Sequence, residues 1–217
     1  MPAALASLDE YRVRAKFTST NADEVTAAEE DLAACTRLLE HELGVAQGQL
    51  TSSTGTRVFD GSGHSVLYLR DRAGRAYFLQ SIDADSLKID DDLDGSFDDY
   101  TLDTDDNWVR GLPENAVADG APFTAVELRP TTAATITAFP ALPGCVEITG
   151  TWGLTSTLQQ VAKAIVISMT RDLRDHFAAG SANQYQAIDE TMPLTDQTWR
   201  LIRSMKQSIS RKIPGIA

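Results

Sequence analysis

The chain has 217 residues and a formal net charge of −12 at pH 7, with 42% hydrophobic and 23% charged residues. A folded chain of this length buries roughly 70% of the surface its unfolded form exposes, so one large core, or a core with a sizeable insertion, forms without disulfide or metal staples. The charge is local: eleven Asp and one Lys between Ser81 and Asp106 give −10, leaving about −2 for the rest, and this argues against a classical DNA-binding protein with its basic stripe.

The first predicted helix opens at Ser7, which has capping-box spacing to Glu10, with Leu8, Tyr11 and Val13 following. It ends before Thr18-Ser19-Thr20. A second helix takes Asn21 as N-cap, with Glu24 three residues on. Asp23, Glu24, Glu29 and Glu30 crowd its N-terminal half, where the helix dipole favours acids in the first turn. Its apolar stripe is Val25, Ala28, Leu32, Cys35, Leu39 and Leu43, and Gly44 ends it.

From Leu50 to Thr151 the periodicity shortens. Thr56–Phe59 and Ser65–Leu69 flank Asp60-Gly61-Ser62-Gly63-His64 and read as a β-hairpin with a Gly-rich turn. Further strand candidates are Ala76–Leu79, Trp108-Val109, Phe123–Leu128 and Val146–Trp152, punctuated by Pro113, Pro122, Pro130, Pro140 and Pro143. A third helix follows Gly153-Leu154-Thr155-Ser156. Its apolar positions Leu158, Val161, Ala162, Ile165, Val166, Met169, Leu173 and Phe177 keep close to a 3.6-residue period, and Gly180 closes it. Ser181–Met192 reads as a polar linker. A last helix starts at Thr195, with Leu194 and Trp199 at staple positions, Ile202, Met205 and Ile209 along one edge, and Pro214 as its stop.

Motifs for chemistry are sparse. His41 and His176 lie near helix C-termini and His64 in a turn, with no Ser in a G-x-S-x-G elbow. No C-x-x-C, H-E-x-x-H or G-K-[ST] occurs, so no metal, cofactor or phosphate-loop site is expected. Cys35 and Cys145 read as reduced, buried thiols of a cytosolic product. The start, MPAALASLDEYRVR, lacks the pattern of a secretory signal, and no run of 18 apolar residues predicts a membrane span. Asp90, Asp92, Asp94, Gly95 and Asp98 fit positions 1, 3, 5, 6 and 9 of a calcium loop, but position 12 is Thr101 where the loop needs a bidentate Glu. The alternative is an acidic, solvated hairpin or loop.

The last twenty-one residues, from Gln197, contain Arg200, Arg203, Lys206, Arg211 and Lys212 and no acid. An ordinary helix packed on its own core, a membrane-surface helix, and a segment docking onto an acidic partner all fit this pattern.

The order of elements carries a resemblance. A capped helix and an acidic helix precede R-V-F-D-G-S-G (57–63). Later V-E-I-T-G-T-W-G (146–153) runs into the helix that begins Q-Q-V-A-K-A (159–164). These stretches resemble the head-to-tail connector, or adaptor, family of long-tailed bacteriophages. The middle of the chain, about Ile82 to Pro143, is longer and richer in Asp than that pattern, and Thr155–Leu158 lacks the Pro often seen before this helix.

The resemblance implies a structural virion protein rather than an enzyme. It implies a dodecameric ring in the neck, assembled in the host cytoplasm, between the portal and a stopper or tail-terminator, with DNA passing through the lumen unread. It places portal docking on the C-terminal segment, here Trp199, Arg200, Ile202, Arg203, Met205, Lys206, Ile209, Arg211 and Lys212. The expected fold is α+β: a small helical bundle with a β-rich insertion. Residues 1–49 hold the N-terminal helices, 50–153 the insertion with its acidic segment, and 154–217 the bundle helix, linker and docking helix.

Overall fold

A computed structural model describes residues 4–97, 100–102, 109–129, 136–178 and 194–212, and the side chains of all these except 82–86, 100–102, 178 and 210–212. The protein is α+β, with four helices and two antiparallel sheets among the described residues. It divides into two compact units. One lies within Met1–Leu43 and Gln159–Ser208; the other within Gly44–Leu158 and from Ile209 on. The β-rich part thus starts a few residues earlier and ends a few later than the expected 50–153.

In the helical unit, α1 (Leu8–Ala15) carries the expected capping box. The Glu10 amide donates to Ser7 Oγ at 3.2 Å, and the Ser7 amide to Glu10 Oε2 at 2.9 Å. Helix α2 (Ala22–Leu43) begins where Asn21 Oδ1 accepts the Asp23 amide at 2.9 Å, and ends at Gly44 with φ +68°. Ala28, Leu32, Cys35, Leu39 and Leu43 of its stripe are buried; Val25 is half-buried.

Helix α3 (Ser156–Ala178) has a wider buried face than a surface helix: Ala162, Ile165, Val166, Ile167, Met169, Thr170, Asp172 and Leu173 are all buried, although Val161 is 44% exposed. Lys163 Nζ meets Glu10 Oε1 of α1 at 2.9 Å, and Arg174 meets Asp31 Oδ2 of α2 at 3.1 Å while stacking over Phe17 at 5.1 Å. Such placement makes α3 the helix to which the others are tied.

Helix α4 (Asp196–Lys212) starts at the expected Thr195, but with a partner that periodicity does not reveal. Asp172 of α3 accepts the Thr195 amide at 3.0 Å, the Thr195 hydroxyl at 2.8 Å and the Thr198 hydroxyl at 2.6 Å, all on Oδ2. The carboxylate caps the helix from across the interface, facing the positive end of its dipole.

The β-rich unit holds one sheet in the order β1-β7-β3-β4 and another in the order β2-β6-β5. Their strands are β1 (Ser53–Phe59), β2 (Val66–Tyr68), β3 (Leu79–Ile89), β4 (Tyr100–Leu102), β5 (Val109–Leu112), β6 (Ala125–Leu128) and β7 (Val146–Trp152). Leu67, Val109, Val126 and Leu128 from one sheet and Phe59, Leu87, Ile89, Val146, Ile148 and Trp152 from the other share one core. The sheets join at a corner where Leu79 and Phe123 exchange both backbone bonds, at 2.9 and 2.6 Å.

One expectation is corrected. Thr56–Phe59 and Ser65–Leu69 do not form a hairpin: β1 pairs with β7 and β2 with β6. The glycine-rich turn is drawn away by the 140–145 loop. The Gly61 amide donates to Leu142 O at 2.8 Å and the Gly144 amide to Asp60 Oδ1 at 2.7 Å. Of the two structural readings of the acidic segment, hairpin or loop, the hairpin is the one found: β3, the longest strand described, pairs antiparallel with β4 across it. The apolar residues of β3 change phase, from Ile82 and Ala84 to Leu87 and Ile89, and the register against β7 shifts between Ile82 and Leu87. A bulge of this kind erases the period-2 signal that marks a strand.

The Asp172 cap has a pH signature. Burial alone raises its carboxyl, but the bonds from Thr198 and Thr195, with Arg171 nearby, hold it below the ordinary carboxylate value. A depressed folded-state value contributes stability that is present above the unfolded value of about 3.9 and lost as pH falls through the folded one. Asp172→Asn should cost about 2 kcal/mol at pH 7 in urea unfolding, and the gap to wild type should narrow as the pH is lowered from 7 to 3. A gap of equal size at both pH values would contradict this role.

Candidate functional site

The predicted docking segment splits once its burial is known. Ile202, Met205 and Ile209 are 2%, 3% and 2% exposed, so its apolar edge belongs to the protein's own core, and Trp199 is half-buried. Arg200, Arg203 and Lys206 are exposed. Arg203 Nε donates only to the Trp199 carbonyl, at 3.3 Å, one turn back. None of the three cations pairs with a carboxylate among the described residues. The side chains of Arg211 and Lys212 lie outside those residues. The burial of Thr198, Ile202, Met205 and Ile209 leaves α4 without an apolar face broad enough for a membrane surface.

A second charged surface, which periodicity flagged only as a dipole effect, lies on α2. Asp23, Glu24, Glu29 and Glu30 are all exposed, and none forms an ion pair among the described residues. Asp31 is different. It is half-buried and bound to Arg174; burial, the stronger influence, raises its carboxyl while Arg174 pulls it down.

The acidic loop after β3 brings Asp90, Asp92 and Asp94 together, with one carboxylate oxygen of each within 4.8 Å of the others. The backbone explains the gathering without a cation. Asp90 is 2% exposed and accepts the Leu93 amide at 2.6 Å on one oxygen and the Gly95 amide at 3.1 Å on the other. Asp92 accepts from Asp94 at 3.1 Å, and Asp94 from Ser96 at 2.7 Å. Leu93 and Gly95 turn the chain at φ +61° and +88°. Asp98 lies outside the described residues, as does the Thr101 side chain, and no Thr supplies the bidentate carboxylate that a calcium loop takes from its last position. The donor set therefore fits calcium in part only.

Neither thiol is poised as a nucleophile. Burial pushes the Cys35 thiol up to about 12, and burial also raises Cys145. His41 is exposed beside Glu42 at 3.9 Å, and His176 lies edge-on to Phe177.

The residues that carry the resemblance serve the fold. R-V-F-D-G-S-G and V-E-I-T-G-T-W-G form the β1–β7 pair, with Arg57 opposite Ile148, Val58 opposite Glu147 and Phe59 opposite Val146. Trp152 is 1% exposed, donates Nε1 to the Gly55 carbonyl at 2.7 Å, and packs with Phe59, Tyr77 and the Arg57 guanidinium. A Cβ on Gly61 would run into the Pro140 carbonyl oxygen, and one on Gly153, at φ +105°, into that of Thr51. The Arg57 stack and the Asp172 cap both escape sequence reading, because their partners are far apart along the chain.

No protein-family model matches this chain, and no characterised protein matches its sequence closely.

If the acidic loop closes on its own amides, millimolar calcium will leave the melting temperature within about a degree of its value in chelator. A ligand bound only by the folded state, at a large excess over its dissociation constant, raises stability by about 3 kcal/mol. A calcium-dependent rise of several degrees would show a site there.

Proposed function

We propose that this chain is a structural subunit of a tailed-phage neck: an adaptor that assembles into a ring between the portal and a stopper or tail-terminator. One juxtaposition supports the reading most. Arg57–Phe59 of the first stretch on which the resemblance rests pairs in β1 with Val146–Ile148 of the second, far away in sequence, and the second leads through Gly153 and Leu154 into α3. On this reading the two stretches are a feature of architecture rather than of a reacting site.

Other observations point the same way. Adaptor work needs surfaces for neighbouring chains, and the helical unit carries two of opposite sign on α2 and α4. It needs no activated nucleophile, and both thiols are held protonated. On this reading DNA crosses the ring without being read, and carboxylates such as those of Asp90, Asp92 and Asp94 repel the duplex wherever they border the passage.

A second reading, a calcium-dependent binding module, draws on the convergence of those three carboxylates. The melting experiment above separates the two.

The adaptor reading is tested by sedimentation with purified portal rings of the same phage. The chain is expected to travel with the rings. A chain that remains in the supernatant across salt and protein concentrations contradicts the proposal. Deleting α4 is a poor variant for this purpose: it would strip Thr198, Ile202, Met205 and Ile209 from the core.

A further inference from the structure

Exposed charge without an ion-pair partner gathers in two groups of opposite sign on the helical unit, beside single such residues at Arg14, Lys16, Arg37 and Asp175. Several of its other charges are used internally: Glu10 with Lys163, Asp31 with Arg174, Asp9 with Arg12. The exposed, unpaired carboxylates named above are gathered in the first half of α2, where Asp23 and Glu30, seven residues apart, share one face with Glu24 and Glu29 to either side. The exposed, unpaired cations Arg200, Arg203 and Lys206 follow one another at three-residue steps on α4; a single acid, Asp196, stands one turn before Arg200.

We propose that the α4 cations of one copy of this chain pack against the α2 carboxylates of a second copy. The inference rests on the ring-forming reading and names the contact between its subunits; it assigns Arg200, Arg203 and Lys206 to the neighbouring subunit rather than to the portal. A closed ring needs two different surfaces on each chain that complement each other, since head-to-tail contacts repeat one pairing around the circle. Acid on α2 and base on α4 provide such a pair. A two-fold contact can also set α2 of each copy against α4 of the other, so the size of the associated species separates a ring from a dimer.

Both helices are fixed to the same support. Arg174 and Asp172, two residues apart on α3, hold α2 through Asp31 and α4 through Thr195 and Thr198. The two charged faces therefore keep a set geometry within each copy, as a repeating interface requires. Nucleic acid is a poorer occupant for α4, because three cations neutralise few phosphates and the chain as a whole is strongly acidic. Single exposed ion pairs are weak, so the contact works as a set and is screened over a Debye length of about 10 Å at 0.1 M salt.

The test is sedimentation velocity at low salt on the full chain and two variants. One variant is Glu29→Lys with Glu30→Lys, which spares the first turn of α2; the other is Arg200→Glu with Arg203→Glu. All four positions are exposed, and circular dichroism and melting temperature verify that each variant folds. Wild type is expected to self-associate in a salt-sensitive way, and each variant to lose at least tenfold in association. A 1:1 mixture of the two variants is expected to recover, because each reversed α2 then meets a reversed α4 and each native α2 a native α4. Wild-type association by either variant, no recovery in the mixture, or a wild type that stays monomeric overturns the pairing. A chain that travels with portal rings but fails here keeps the neck reading and loses this contact; one that passes here but ignores portal rings does the reverse. If the Arg200 and Arg203 variant self-associates normally yet no longer travels with portal rings, its cations face the portal and the pairing is wrong.

Discussion

Strand β7 is paired along both edges, with β1 on one side and β3 on the other, and its side chains alternate strictly between core and outer face. Val146, Ile148 and Trp152 point inward and Glu147, Thr149 and Thr151 outward, while Gly150 takes an inward place where a Cβ would meet the Ser81 carbonyl oxygen and the Leu79 side chain. At its end, the Gly153 amide donates to Phe78 O at 2.7 Å and the Leu154 amide to Gln49 O at 3.0 Å. These bonds fix where α3 begins. The four-stranded sheet of the β-rich unit depends on this one strand, which holds β1 and β3 and leads to the start of α3.

Much of this was legible in the residues. Ser7 with Glu10, Asn21, Gly44 and Thr195 marked helix ends by local chemistry, and the cap geometry matches each of them. The 3.6-residue stripes of α2 and α3 marked buried faces, with Val25, Val161 and Phe177 as the exceptions. What stayed hidden was non-local. Strand β3 was masked by Asp83 and Asp85 and by the bulge that changes its apolar phase. The supposed hairpin failed because the partners of β1 and β2 come from much later in the chain, and no local turn chemistry announces that. The candidate surface was legible in part. Arg200, Arg203 and Lys206 stood out by charge, but only burial shows that Ile202, Met205 and Ile209 are already spent on the core.

That division changes how α4 can act. A free amphipathic segment docks by inserting its apolar edge and ordering as it binds. Here the helix is already capped by Asp172 and packed, so it offers a rigid, charged face. Recognition through such a face gains orientation and encounter rate from complementary charge more than raw affinity. The same holds for the acidic face of α2. Two rigid faces of opposite sign on one chain would suit repeated assembly.

The central claim is that the stretches around β1 and β7 are built for architecture, and Gly153 tests it most directly. Gly153→Ala adds a Cβ at φ +105° against the Thr51 carbonyl, whereas Gly55→Ala, in the same strand pair, meets nothing within 4 Å. Thermal unfolding of the two variants beside wild type is the measurement. The account predicts that Gly153→Ala loses on the order of 2–4 kcal/mol, about 5–15 °C in Tm, while Gly55→Ala stays within about 3 °C. A Gly153→Ala protein that melts with wild type would contradict it.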